Sequence, residues 1–167
     1  MKQTENHSFL FARADNARDG INQSFLSKNR PLMWGGLLSL AAALLHIAII
    51  VGGPAWYRFF GAGEALARLA EEGSAIPGAI TALIAMILLT WSLYAFAGTG
   101  LIRPLPWLKG VLIGITAVYL VRGLALLPAL MFMPQAVDSF LIASSLSCLA
   151  IGMLHLSGTH QLIWELS

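Results

Sequence analysis

Charge is scarce in this chain. Charged residues make up 11% of 167 residues, while 57% are hydrophobic. Soluble domains carry about 25% charged residues, so the composition excludes a soluble globular fold and points to a polytopic membrane protein. Cysteine is nearly absent. Cys148 stands alone, which excludes an intrachain disulfide and a cysteine-rich metal site. The formal charge of +2 is spread thinly, without the basic run that a nucleic-acid surface needs. Several chemistries lack their residues. There is no H-E-x-x-H, no carboxylate pair suited to a metal, no glycine-rich phosphate loop in context and no strained serine nucleophile turn. No catalytic centre and no cofactor is read from the sequence.

What is present is long apolar runs. Spans are predicted over about 33–52, 76–96, 107–133 and 137–157. Each has roughly 20 apolar-rich residues, enough at ~1.5 Å per residue to cross ~30 Å of hydrocarbon. Gly52-Gly53-Pro54 stops the first, Ser74 and Pro77 suit the start of the second, and Gly158 closes the fourth. Two connections are short, so consecutive helices are antiparallel neighbours. The expected fold is all-α: an up-down four-helix transmembrane bundle. Residues 1–30 form a polar tail, without the apolar stretch of a cleavable signal peptide, and 161–167 form a short second tail.

The basic residues set an orientation. Seven (Lys2, Arg13, Arg18, Lys28, Arg30, Arg103, Lys109) fall on the side of the N-terminus, against Arg58 and Arg68 opposite. The positive-inside rule then predicts that both termini are cytoplasmic and that the loop over 53–75 is external. Within that loop, Glu64 to Glu71 reads as a short amphipathic helix, preceded by the aromatic cluster Trp56, Tyr57, Phe59 and Phe60. The cluster reads first as an interfacial anchor and second as a lid over the outer end of the bundle.

Two ionisable groups lie inside spans in the outer half. Arg122 costs at least ~2.5–3.5 kcal/mol at membrane depth, so it needs a partner. His46 is in the same half, Tyr119 is one turn before Arg122, and Glu64 is the nearest carboxylate just outside. A polar pocket of Arg122, His46, Tyr119 and Glu64 is therefore predicted, preferring an anion or lipid headgroup. His155 is predicted near the cytoplasmic end, at the opposite face from His46, so the two cannot ligate one haem at a shared depth. No carboxylate lies deep within a span, Asp138 standing at the very start of the fourth, which leaves a proton-coupled exporter without its proton carrier. Gly110 and Gly114 form a GxxxG, and Ser144, Cys148, Gly152 and His155 form a small and polar stripe; both suit close helix packing, within the bundle or between copies.

The segments Leu45-His46 through Gly52-Gly53 and Tyr119-Leu120-Val121-Arg122-Gly123 resemble motifs of small four-span bacterial inner-membrane proteins of uncharacterised function. In those, a His precedes a Gly-Gly at the end of the first span and an Arg sits in the third. The resemblance covers residues 33–157 and implies a bacterial inner-membrane location, but no reaction. Three functional classes follow. The leading one is a non-catalytic membrane protein, either an accessory subunit of a complex or a binder of an anionic or lipid headgroup, with membrane lipids, a protein complex or a homo-oligomer as partners. The alternatives are a small oligomeric transporter and a lipid-directed membrane enzyme with His46 as base and Arg122 as electrostatic clamp.

Overall fold

A computed structural model describes residues 29–165. The polar-tail expectation for 1–28 lies outside the described residues. Seven α-helices follow in order: α1 (Arg30–Gly52), α2 (Pro54–Phe59), α3 (Glu64–Glu71), α4 (Ile76–Gly98), α5 (Leu108–Leu124), α6 (Leu126–Phe132) and, after a 3₁₀ turn, α7 (Ser139–Glu165). Four segments are long and apolar enough to cross a membrane: α1, α4, α5 with α6, and α7. The protein is an all-α, four-helix membrane bundle with a short amphipathic helix, α3, between its first two spans.

The spans pack unevenly. α1 lies along α4, α5 lies along α7, and the two pairs meet mainly through α1 and α7. α4 and α5 are consecutive but touch little; Trp91 and Tyr119 face each other across that side with ring centroids 5.0 Å apart. α1 and α5 stand diagonally opposite, as do α4 and α7.

Glycine decides how closely the pairs approach. The fourth helix does not close at Gly158 but runs on to Glu165. Gly158 is instead a contact position: a Cβ there would lie 2.6 Å from Leu32 N and 2.7 Å from Asn29 Oδ1. Asn29 caps α1 by accepting from Leu32 N at 3.3 Å, and its Nδ2 donates to Gly158 O at 2.9 Å. That tie, and the burial of Leu32, reward the continued helix more than a C-cap would. Gly110 and Gly114 behave in the opposite way. A Cβ at either would meet nothing within 4 Å, so the GxxxG does not pack within the bundle.

Pro128 shapes the third span. Proline lacks the N–H that would reach the carbonyl four residues back, and its ring crowds that carbonyl. The carbonyl belongs to Leu124, where α5 ends, and α6 restarts at Leu126. The third span is therefore a broken helix, which the sequence reading did not expect.

Over the end of the bundle where α1 finishes, Tyr57 and Ala67 are buried with Ile49 of α1, and Gly61 packs against Phe140 of α7. Phe59 of the same segment is left 80% exposed. The α2–α3 segment therefore packs on that end of the bundle.

Candidate functional site: the outer half of the bundle

The half of the bundle that holds Asn29 and the end of α7 is sealed. Leu32, Leu112 and His155 are fully buried, and Ile115 and Tyr119 nearly so. Ser39 Oγ lies 2.9 Å from Gly35 O and 2.9 Å from Tyr119 Oη. A carbonyl only accepts, so Ser39 donates to Gly35 and Tyr119 donates to Ser39. This chain links α5 to α1 across the diagonal. His155 stacks beside it, 5.4 Å from the Tyr119 ring centroid, with Nδ1 3.0 Å from Ile151 O. By the same argument Nδ1 carries the proton. Nε2 is then a lone pair, and it has no hydrogen-bond partner. His155 is a core residue, not the headgroup-reaching group that the sequence predicts. The longer α7 moves it ten residues from the helix end, about 15 Å.

One turn further out, the same helix faces lose their cover. Arg122 follows the buried stripe of Ile115 and Tyr119 but is exposed. His46 follows Gly35, Ser39 and Ala42 but is only half-buried, and Ser144 and Cys148 on α7 are likewise half-buried. The half under α2 and α3 is looser on these faces than the half that holds Asn29 and the end of α7.

Arg122 sits in the last turn of α5, where the break at Pro128 leaves a helix C-terminus. Its Nη1 donates to Ser145 Oγ at 3.1 Å and its Nη2 to Ser144 Oγ at 3.4 Å. Ser145 is fully buried and pins the contact. Among the described residues Arg122 has no carboxylate partner. The helix end supplies about 0.3–1 kcal/mol for a cation. Neither hydroxyl carries a charge, so among the described residues no anion neutralises the guanidinium. A guanidinium has five N–H donors, so three remain unused.

The predicted site residues fall into separate hydrogen-bonded sets. His46 Nδ1 lies 2.7 Å from Ala42 O of its own helix, which leaves Nε2 as an acceptor. Tyr119 is held by Ser39. Glu64 is not the partner of Arg122. It receives two bonds from Arg58, at 2.9 and 3.0 Å, and one from Arg68 at 3.3 Å, while Arg58 also donates to Glu71 at 2.7 Å. Two arginines within α2–α3 satisfy it locally, at no loop-closure cost. The bonds from Arg58 hold Glu64 down at about 2 and lower Glu71, while raising Arg58 itself. In the sequence Ser144 reads as a packing residue, and Ser145 carries no signal of its own. The cue available was that an intramembrane arginine needs donors' partners on the neighbouring helix.

Compared with protein families, with characterised proteins and with solved structures, the chain finds no match. The functional argument therefore rests on its own side chains. Among the described residues no group of three metal-ligating side chains converges.

Proposed function

We propose that the protein is a non-catalytic integral membrane protein that binds an anionic headgroup or small anion at Arg122, in the outer half of the bundle. The observation that carries this is an intramembrane guanidinium that, among the described residues, is held by two neutral hydroxyls, with three N–H groups left over. Ser144 and Ser145 aim the group, and a planar guanidinium matches a phosphate or carboxylate with two parallel bonds. His46 flanks the same half, and the α2–α3 lid lies over it. In this reading the chain sits in a bacterial inner membrane with both termini cytoplasmic, so the headgroup comes from the outer leaflet.

The test is native mass spectrometry in mild detergent with dioleoyl phosphatidylglycerol as the probe. Wild-type protein retains the lipid through Arg122, Arg122→Lys retains less, and Arg122→Leu loses that adduct while keeping its melting temperature. An Arg122→Leu variant with undiminished lipid stoichiometry refutes the reading. A protein that co-elutes at fixed stoichiometry, and is lost with Arg122→Leu, assigns the accessory-subunit role to the same residue.

A further inference from the structure

A second feature lies on the outside of the bundle, at the other end of the α5–α7 pair. A groove of about 310 Å³ runs between the two helices in the sealed half. Ile113, Ala117 and Leu120 of α5 face Leu156 and Ile163 of α7 across it, so its walls are almost entirely carbon. The other polar side chain in its wall, Thr116, is already satisfied, donating to Leu112 O at 2.7 Å.

Two donors in this half are not satisfied. Thr159 lines the groove, is 4% exposed, and its hydroxyl has no hydrogen-bond partner. Most other hydroxyls in the spans bond the carbonyl four residues back, as Ser39, Thr81, Thr116 and Ser157 do. Thr159 does not, and Ser92 of α4 is another buried hydroxyl without a partner among the described residues. His160 also lines the groove. Its Nε2 accepts from Trp164 Nε1 at 2.8 Å, which puts the ring proton of the neutral form on Nδ1 and leaves that N–H without an acceptor among the described residues. One turn before Ile113, on the same face of α5 by the spacing 109, 113, 116, 120, stands Lys109. It is exposed and has no carboxylate partner among the described residues.

From the membrane middle toward the end of α7, the groove therefore presents a carbon wall and then His160 beside the buried Thr159 hydroxyl, and Lys109 stands on the α5 face beyond it. A phospholipid presents the matching sequence: acyl chain, ester carbonyl, phosphate. The depth agrees, because His160 is five residues from Glu165, about 8 Å along the helix, and Trp164 is exposed as an interfacial indole is. We propose that the α5–α7 groove is a binding site for one phospholipid of the leaflet on the Lys109 side. One acyl chain lies between Leu120 and Leu156. The ester carbonyl accepts from His160 and from the Thr159 hydroxyl, which has to turn toward the groove to meet it, and the phosphate pairs with Lys109. The Arg122 site is on the other half of the bundle, so this inference stands without it.

The experiment uses the full chain carrying Arg122→Leu, which silences the outer site, and titrates dioleoyl phosphatidylglycerol in native mass spectrometry. One lipid per protein binds. Thr159→Val with His160→Phe weakens it at least tenfold, and Lys109→Gln weakens it severalfold. Thr159→Ser and Lys109→Arg restore binding. Lys109 is exposed, so its substitution leaves folding intact and keeps the test decisive if the buried Thr159 variant fails to fold. Binding that ignores Lys109 and Thr159 overturns the proposal. So does a lipid-free dimer, which would assign the groove to a second copy, and so does a failure of the Arg122→Leu chain to bind any lipid.

Discussion

Two glycine-to-alanine substitutions have opposite signs in this bundle, although both lie inside transmembrane helices. At Gly158 the added Cβ meets the backbone of Leu32 at 2.6 Å and Asn29 Oδ1 at 2.7 Å. Backbone cannot yield as a side chain end can, so α1 and α7 have to separate. Overpacking of this kind costs about 1–3 kcal/mol. The separation also strains the Asn29 cap, worth ~1 kcal/mol. Against this stands a gain of about 0.5–1 kcal/mol from alanine's better helix propensity. Gly158→Ala is therefore destabilising by about 1–3 kcal/mol. At Gly114 a Cβ meets nothing within 4 Å, so only the propensity gain remains. Gly114→Ala is neutral or stabilising, by up to about 1 kcal/mol. The assay is equilibrium unfolding of both variants and wild type in the same mild detergent, with elution volume as a control for association. Equal destabilisation by the two substitutions refutes the reasoning. If Gly114→Ala alone destabilises, and shifts elution toward a smaller species, the exposed GxxxG is an interface between copies and the contact analysis of the single bundle is the wrong frame.

The lid responds to acid. Arg58 holds Glu64 near about 2 and Glu71 below its ordinary range, so both carboxylates are bound more strongly in the folded segment than in the unfolded one. That contribution is present above the ordinary glutamate pKa and is lost as the pH falls through it toward about 2. Hydrogen exchange over 54–71 is expected to rise across this window, and Arg58→Gln to show the raised exchange at neutral pH; flat exchange from neutral to acid contradicts the ion-pair account. The orientation is checked by impermeant maleimide labelling in a Cys148→Ser background. Arg68→Cys reacts from outside and Lys28→Cys only after permeabilisation, and the reverse pattern inverts the topology.

The four spans were legible because a long apolar run has few other destinations than a membrane, and the amphipathic α3 because its charged and apolar residues alternate at helical spacing. Packing was less legible. Gly158 looks like a helix stop in a linear reading, and only the partner helix shows that its missing side chain makes room for Leu32. That one misreading displaced His155 from the core to the interface. Pro128 carried a clear local signal for a break, which the surrounding apolar run masked. For the candidate site, depth named Arg122 and His46, but depth says nothing of azimuth. Arg122 found two serines on α7, and Glu64 found Arg58 six residues away in sequence. The groove at Thr159 and His160 had no linear signal, since its donors count as unused only when every neighbour is in place.

The uneven packing of the four spans bears on how such a protein is made. α1 with α4, and α5 with α7, are each antiparallel hairpins that close their own seam, while the segment between Gly98 and Leu108 joins two helices that touch little. The ribosome releases the first hairpin complete before the second has emerged. Each seam is local in sequence, so the two hairpins are expected to form first and to dock last, with Leu32, Gly35 and Ser39 presented by the first and Tyr119, His155 and Gly158 by the second. A chain severed between Arg103 and Pro104 keeps both seams and the whole docking surface. Its two halves, produced as separate polypeptides, carry all that is needed to find each other in the bilayer.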